Sequence, residues 1–346
     1  MNIQEIKVPE YEKVVKCELL PGITSIIAVH NTALGPGLGG VRMHDYHSEQ
    51  EALTDVLRLA EGMSYKAAMA ELKLGGGKSV IIGKQSDKSP ELFEAYGEFV
   101  NSLKGLYVSA KDVGVDLNDL ASVEKKTKFI GGTAKEGSSG DPSFMTAYGV
   151  YQGLRAVSDV KWGEDSLKDK TILVQGLGHV GFDVIQYLQK AGANVIGCDL
   201  NEERMMAAKE KYGIDIQSAN DWLDIQADIL CPCALGGILN QDTIPKLLSN
   251  GIQVIAGGAN NQLLDMSDDG WRLHQKGIIF APDYVINAGG IINIFCEFDG
   301  YDEKRARKIT ENIYSTTKKI CDRAAQTDRP TALVSLDMAR ERIGLV

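Results

Sequence analysis

The chain has 346 residues, enough for two domains of ordinary size, and its 44% apolar and 24% charged residues are the balance of a globular protein. A net charge of −10, with no basic stripe interleaved with aromatics, excludes nucleic acid as a partner. No apolar run reaches the ~20 residues of a membrane span, and the N-terminus lacks the layout of a signal peptide. The six cysteines and five histidines lack zinc spacing, so a cytoplasmic protein with reduced thiols and no metal is expected.

Residues 23–30 are β-branched and apolar and predict a strand. Leu34-Gly-Pro-Gly-Leu38-Gly39-Gly40-Val41 carries too much glycine and proline for regular structure, and predicts a loop whose backbone closely approaches a ligand. A helix opens at Ser48, with Ser48 and Glu51 in the spacing of a reciprocal capping box; Ala52, Val56, Leu59, Ala60 and Met63 define its core face. Lys66 follows, and a three-glycine turn, Gly75-Gly-Gly, then precedes Lys78 and a short strand over 78–83. An ammonium is costly to bury unpaired, so a lysine in such apolar sequence can titrate below its free value. One of the two lysines is then a candidate base and the other a candidate anchor for an anionic substrate, against the alternative of two surface lysines flanking a loop. Ser89-Pro90 opens a helix ending near Gly105. Residues 106–110 form a strand with Lys111 and Asp112 just past its end, where side chains commonly line clefts.

Polar, glycine-rich sequence (Gly131-Gly-Thr and Gly137-Ser-Ser-Gly-Asp-Pro142) marks a domain boundary. A helix from about Ser143 carries Tyr148, Val150, Tyr151 and Leu154 toward a second core. Strands at 171–175, 194–199, 227–231, 254–256 and 277–280 alternate with helices, as in a parallel doubly wound sheet. Long helices are expected over 302–325 and 335–343. Gly176-Leu-Gly178-His179-Val180-Gly181 matches G-x-G-x-x-G between a strand and a helix, the setting in which backbone amides receive a dinucleotide diphosphate. Asp199 ends the next strand, roughly the ~20 residues further on at which an acid takes both ribose hydroxyls, which favours NAD over NADP. A dinucleotide domain implies hydride transfer. Two lysines and an aspartate in the other domain suit an amino-acid substrate.

The chain resembles the glutamate/leucine/phenylalanine/valine dehydrogenase family, nearly end to end and closest to its leucine branch. The motifs are Leu34-Gly-Pro-Gly-Leu-Gly-Gly-Val-Arg-Met43, Gly62-Met-Ser-Tyr-Lys-Ala67, Gly75-Gly-Gly-Lys78, Ser109-Ala-Lys-Asp112-Val-Gly114, Gly137-Ser-Ser-Gly-Asp-Pro142, Cys231-Pro-Cys233-Ala234-Leu-Gly236, Ala259-Asn-Asn-Gln-Leu263 and Ala281-Pro-Asp-Tyr-Val-Ile-Asn287-Ala-Gly-Gly290. The resemblance implies a carboxylate-binding role for Lys66, catalytic roles for Lys78 and Asp112, and substrate contacts from Gly39, Gly40 and Asn287. Thr146 resembles the ligand of the nicotinamide carboxamide. Asn260, Asn261 and Asn287 fall where the family brings the cofactor to the cleft, and Gly176, Gly178, His179, Val180, Gly181, Asp199, Cys233 and Ala234 are the remaining cofactor residues. It also implies a homo-oligomer, dimer or octamer, and a last helix that returns to the first domain. The expected fold is α/β, with a cleft between an N-terminal α/β substrate and oligomerisation domain (1–133 plus 325–346) and a Rossmann-type NAD domain (134–324).

The implied reaction is the reversible oxidative deamination of an L-amino acid to its 2-oxo acid and ammonia. Glutamate-specific relatives carry a lysine where this chain has Leu38, and a leucine cannot compensate a second buried carboxylate. Leu38, Met63 and Ala110 point to an apolar pocket, so leucine, isoleucine and valine lead. Phenylalanine or tryptophan remains an alternative, because apolar pockets discriminate by only ~1–3 kcal/mol per methylene. Gly37, Val41, Phe144 and Cys296 depart from the usual branched-chain pattern and bear on the pocket or the hinge. A catalytically silent NAD-binding regulator is the reading from another class of function; retention of Lys66, Lys78 and Asp112 opposes it.

Overall fold

The computed structural model describes residues 1–133 and 138–345. The chain divides into two compact units, Met1–Asp141 with Ile294–Asp302 and Ala339–Val346, and Pro142–Asn293 with Glu303–Met338. The boundary expected at 133/134 and Gly137 of the hinge motif lie outside the described residues. The C-terminal return expected from 325 is corrected, because residues 303–338 stay with the second unit and only the last residues rejoin the first. The segment 294–302, expected in the NAD domain, also belongs to the first unit: the Glu297 carboxylate accepts the Gly132 and Ser139 amides at 2.9 and 2.8 Å.

The first unit contains β1 (Ile3–Glu5), β2 (Lys13–Leu20), β3 (Ile23–Asn31), β4 (Gly37–His44), α1 (Glu49–Met69), β5 (Gly75–Ile82), α2 (Pro90–Ser102), β6 (Tyr107–Lys111) and α3 (Leu117–Glu124). Its six-stranded sheet has the order β1-β2-β3-β5-β4-β6, antiparallel up to β5 and parallel across β5, β4 and β6. On one face Val41, Met43, Ile81 and Tyr107 pack with Leu92, Phe93 and Tyr96 of α2; on the other Ile26, Ala28 and Val80 pack with Ala52, Val56 and Ala60 of α1. Leu59 and Met63 are only half-buried beside that core stripe.

Two glycine runs expected as loop and turn are central strands. Glycine is a poor strand former, but here the paired backbones leave no room for a side chain. A Cβ on Gly39 would stand 1.8 Å from the Gly77 carbonyl oxygen, and one on Gly76 would stand 2.1 Å from the Ser64 amide. Buried hydroxyls reinforce the run: Tyr107 donates to the Gly39 carbonyl and lies 3.0 Å from Ser79, which meets Tyr96 at 2.6 Å. The capping box of α1 is shifted by one residue. The Ser48 hydroxyl accepts the Glu51 amide at 3.1 Å, but the Glu51 carboxylate accepts from His47, at 2.8 Å, rather than from Ser48.

The second unit begins with α4 (Ser143–Trp162) and continues through β7 (Thr171–Gln175), α5 (His179–Lys190), β8 (Asn194–Cys198), α6 (Glu202–Tyr212), β9 (Asp215–Ile216) and β10 (Ile229–Pro232). It goes on through α7 (Ile244–Ser249), β11 (Val254–Ile255), α8 (Asp268–Gln275), β12 (Ile279–Phe280), α9 (Asp283–Ile286), α10 (Gly289–Phe295), α11 (Glu303–Thr327) and α12 (Thr331–Arg342). The last residues of α10 and α12 fall in the first unit. The second sheet is parallel throughout, in the order β12-β11-β10-β7-β8-β9, with the strand order reversing between β7 and β10. Val150 and Leu154 are buried as expected, whereas Tyr148 and Tyr151 are half-buried and gather with Tyr187 at ring separations of 5.4 Å.

The glycine strand makes a paired prediction. Gly39→Ala should destabilise the protein by about 3 kcal/mol or prevent folding, since a backbone carbonyl must move. Gly62→Ala, where nothing lies within 4 Å, should stabilise by about 0.5–1 kcal/mol through helix propensity. Urea unfolding of the two variants measures both.

Candidate active site

Side chains alternate along a strand. With Val41, Met43, Ile81 and Tyr107 committed to the α2 side, Leu38, Gly40 and Arg42 of β4, Lys78 of β5 and Ala110 of β6 share the side covered by α1. On α1, Asp55, Leu59, Met63 and Lys66 recur at helical spacing beside the core stripe. The sheet thus carries Leu38, Gly40 and Ala110 on the side covered by α1, whereas Gly39 falls by the same alternation on the α2 side. Leu38 is buried, with 1% exposure, and so is Ala110, so the floor of this patch is apolar. Gly40 lies against the loop after β6, where an added Cβ would stand 2.8 Å from the Asp112 Cβ.

At the centre is an ion pair. Lys78 is 6% exposed, and its Nζ lies 2.7 Å from Oδ2 of Asp112. Burial pushes the Lys78 ammonium below its ordinary range, and the attraction of Asp112 offsets this only in part. Burial would raise the Asp112 carboxyl, but Lys78 and then Arg42 outweigh it and hold it below the usual carboxylate range. Arg42 Nε lies 3.2 Å from the same Oδ2, and its Nη1 lies 2.8 Å from Oδ2 of Asp55, which also accepts the Tyr46 hydroxyl at 2.8 Å. Sequence reasoning missed Arg42, Asp55 and Tyr46. The signal was present: reading 37–44 as a strand puts Arg42 on the face of Leu38 and Gly40.

The second unit forms its own constellation at the carboxyl ends of β7 and β10, the switch point where such sheets bind ligands. Gly176 has φ +100, and a Cβ there would meet Ala234 at 2.6 Å. One on Gly181 would stand 2.0 Å from the Gly176 oxygen. Gly178 caps α5 without a side-chain bond, and its missing Cβ would face open space as far as an Arg204 nitrogen at 4.0 Å. This cradle fits a dinucleotide diphosphate: a tight turn, close packing and an unobstructed helix N-terminus, with His179 and Val180 in the first turn. The Asp199 carboxylate is held in place by the amides of Leu177, at 2.7 Å, and Asn201, at 2.8 Å.

Beside the cradle, a Cβ on Gly258 would meet Val180 at 2.7 Å and the Cys233 sulfur at 3.7 Å. Asn287 donates from Nδ2 to the Gly258 carbonyl at 3.2 Å and to Asn260 at 2.8 Å. The carbonyl can only accept, so this orientation leaves the buried Oδ1 of Asn287 without a donor, as an unfilled ligand position would. Thr146 donates to the Pro142 carbonyl at 3.0 Å and packs on Gly290, close in sequence to Asn287.

Three of the four departures from the branched-chain pattern have a visible setting. Val41 is buried in the α2 core, Gly37 pairs with β5 and β6 where an added Cβ would stand 3.1 Å from the Gly76 oxygen, and Cys296 is fully buried. Nothing in the structure explains Phe144. Among the described residues, no three His, Cys, Asp or Glu side chains are placed to hold a metal, and no helix is long and apolar enough to cross a membrane.

Comparison with known proteins fits this geometry. Residues 10–129 match the dimerisation domain of Glu/Leu/Phe/Val dehydrogenases, and residues 136–202 and 199–339 match the Glutamate/Leucine/Phenylalanine/Valine dehydrogenase domain. The chain is 46% identical to the leucine dehydrogenase of Geobacillus stearothermophilus over 96% of its own length and 91% of that protein's. It is 44% identical to the phenylalanine dehydrogenase of Lysinibacillus sphaericus, over 92% of this chain and 85% of that one. The crystal structure of L-tryptophan dehydrogenase from Nostoc punctiforme superposes with a TM-score of 0.86 at 37% identity, covering 97% of this chain and 96% of that chain. The chain belongs to the glutamate/leucine/phenylalanine/valine dehydrogenase family and is an amino-acid dehydrogenase.

Proposed function

We propose that the protein catalyses the reversible, NAD-dependent oxidative deamination of an apolar L-amino acid, with leucine, valine and isoleucine preferred, to the 2-oxo acid and ammonia. The observation that carries this reading is the buried Lys78, paired at 2.7 Å with a half-buried Asp112, on the face that holds Leu38. An ammonium disfavoured by burial gives up its proton more readily than an exposed lysine does. At the position of Leu38 the pocket offers a second substrate carboxylate no counter-charge.

In this reading Lys66 pairs with the α-carboxylate, and the backbones of Gly39 and Gly40 line the substrate. Asp112 takes the proton of the substrate ammonium, leaving the amine lone pair available. Bound NAD would supply the hydride acceptor, held by the glycine turn, Asp199, Thr146, Cys233, Ala234 and Asn260. Asn287 offers its unpartnered Oδ1 to a ligand N–H. Once the α-carbon is oxidised to the iminium level, neutral Lys78 takes a proton from water as the water oxygen bonds to that carbon. Asp112 returns its proton to the departing nitrogen. Ammonia leaves as the C–N bond breaks, the carbinolamine hydroxyl passes its proton to the Asp112 carboxylate, and the 2-oxo acid forms. We also infer a cytoplasmic homo-oligomer, supported by six free thiols and by the match to a dimerisation domain.

Lys78→Ala should lower turnover by at least ~10³-fold, within the range of lost general-base catalysis, while leaving NADH affinity nearly intact. Absorbance at 340 nm and NADH fluorescence titration measure the two; normal turnover in the variant would remove Lys78 from the mechanism. Leu38→Lys should cut leucine turnover by about tenfold or more and create measurable glutamate oxidation, because the new cation pairs a side-chain carboxylate. A panel of leucine, valine, isoleucine, phenylalanine, tryptophan and glutamate checks this, and a wild type that prefers glutamate would refute the apolar-pocket reading. Asp199→Ala should raise KM for NAD and reduce discrimination against NADP; unchanged constants for both cofactors would take Asp199 out of the ribose site.

A further inference from the structure

Two cations share one oxygen. Lys78 Nζ, at 2.7 Å, and Arg42 Nε, at 3.2 Å, both meet Oδ2 of Asp112, while Oδ1 is claimed by neither. Arg42 reaches on with Nη1 to Asp55, itself anchored by the Tyr46 hydroxyl and by Arg58 at 3.3 Å. Lys78, Asp112, Arg42 and Asp55 therefore form a row of charges alternating in sign.

A base must spend part of its cycle neutral. With Lys78 neutral, a lone Asp112 would be a largely buried carboxylate without a counter-charge, which is costly and is relieved by taking up a proton. Such an Asp112 would retain the proton that Lys78 had released. A guanidinium does not deprotonate in proteins, and its planar fork can bridge two carboxylates as an ammonium cannot. We propose that Arg42, pinned by Asp55, is a positioning residue: it stays on Oδ2 of Asp112 throughout the cycle, so that with Lys78 neutral Asp112 meets the substrate as a carboxylate, ready to take the ammonium proton. The inference rests on the proposed role of Lys78 as base. Charged and titratable groups on the elements packed around the row are Asp55, Arg58 and Lys66 of α1, Tyr46 after β4, and Lys111 of β6.

The test is the pH dependence of kcat for leucine oxidation. The Arg42 charge disfavours the Lys78 ammonium and the Asp55 charge favours it. Arg42→Gln should lower kcat at neutral pH by about tenfold or more and move the acid limb up by about half a pH unit or more, since Lys78 keeps its proton to higher pH. Arg42→Lys should restore most of the limb's position but not the rate, because the charge returns without the fork. Asp55→Asn should lower kcat while moving the limb the other way, and it serves as the test if Arg42→Gln does not fold. NADH affinity should hold in every variant. A folded Arg42→Gln or Asp55→Asn enzyme with an unmoved limb overturns the proposal, for a merely structural role lowers activity without moving the limb. Full activity in Lys78→Ala would instead sink the parent reading, and this one with it.

Discussion

The site of the first unit depends on one constraint: an ammonium sits inside a sheet that would rather hold an apolar side chain. Lys78 is 6% exposed in a strand whose neighbours Val80 and Ile81 are fully buried. Its charge is tolerated because Asp112 meets it at 2.7 Å, and Asp112 in turn is held by Arg42. At Lys78 desolvation outweighs the attraction of Asp112, which offsets it only in part. That partial compensation makes the group useful, because a small change beside it, such as substrate arriving or a proton leaving, can decide which form wins.

The glycines serve the same constraint. A lysine and an aspartate can meet on one face only if the strands carrying them are brought into register past β4, where a Cβ on Gly39 or Gly40 would collide with neighbouring backbone or with Asp112 itself. The hydroxyls of Tyr107, Ser79 and Tyr96 on the opposite face tie down the same strands without adding charge. The second unit follows a separate logic, in which Gly176, Gly178 and Gly181 shape a turn and Asp199 is fixed by two backbone amides.

Much of this was legible in sequence where a residue's chemistry is independent of distant neighbours. The G-x-G-x-x-G turn followed by Asp199 is a local device, and its strands and helices lie close to the expected positions. Lys78 stood out because charge is rare in apolar sequence, and Asp112 because it lies just past the end of a strand. The glycine runs 37–40 and 75–77 misled, since propensity argues for loops and only the packing of β3, β4, β5 and β6 makes them strands. That error hid Arg42, whose place beside Lys78 follows from strand alternation. The fate of residues 325–338 was unreadable for a similar reason: where α12 docks depends on long-range packing, and Ala332 joins the core of the second unit while the Ser335 hydroxyl lies 2.9 Å from that of Tyr284.

The most direct measurement is the titration of Lys78 itself, by NMR of protein carrying labelled lysine side chains, with the resonance assigned by its loss in Lys78→Arg. Exposed lysines titrate near ~10.4. The account predicts that the Lys78 signal changes at clearly lower pH than theirs in the folded, ligand-free protein. A Lys78 signal that titrates together with the surface lysines would contradict it.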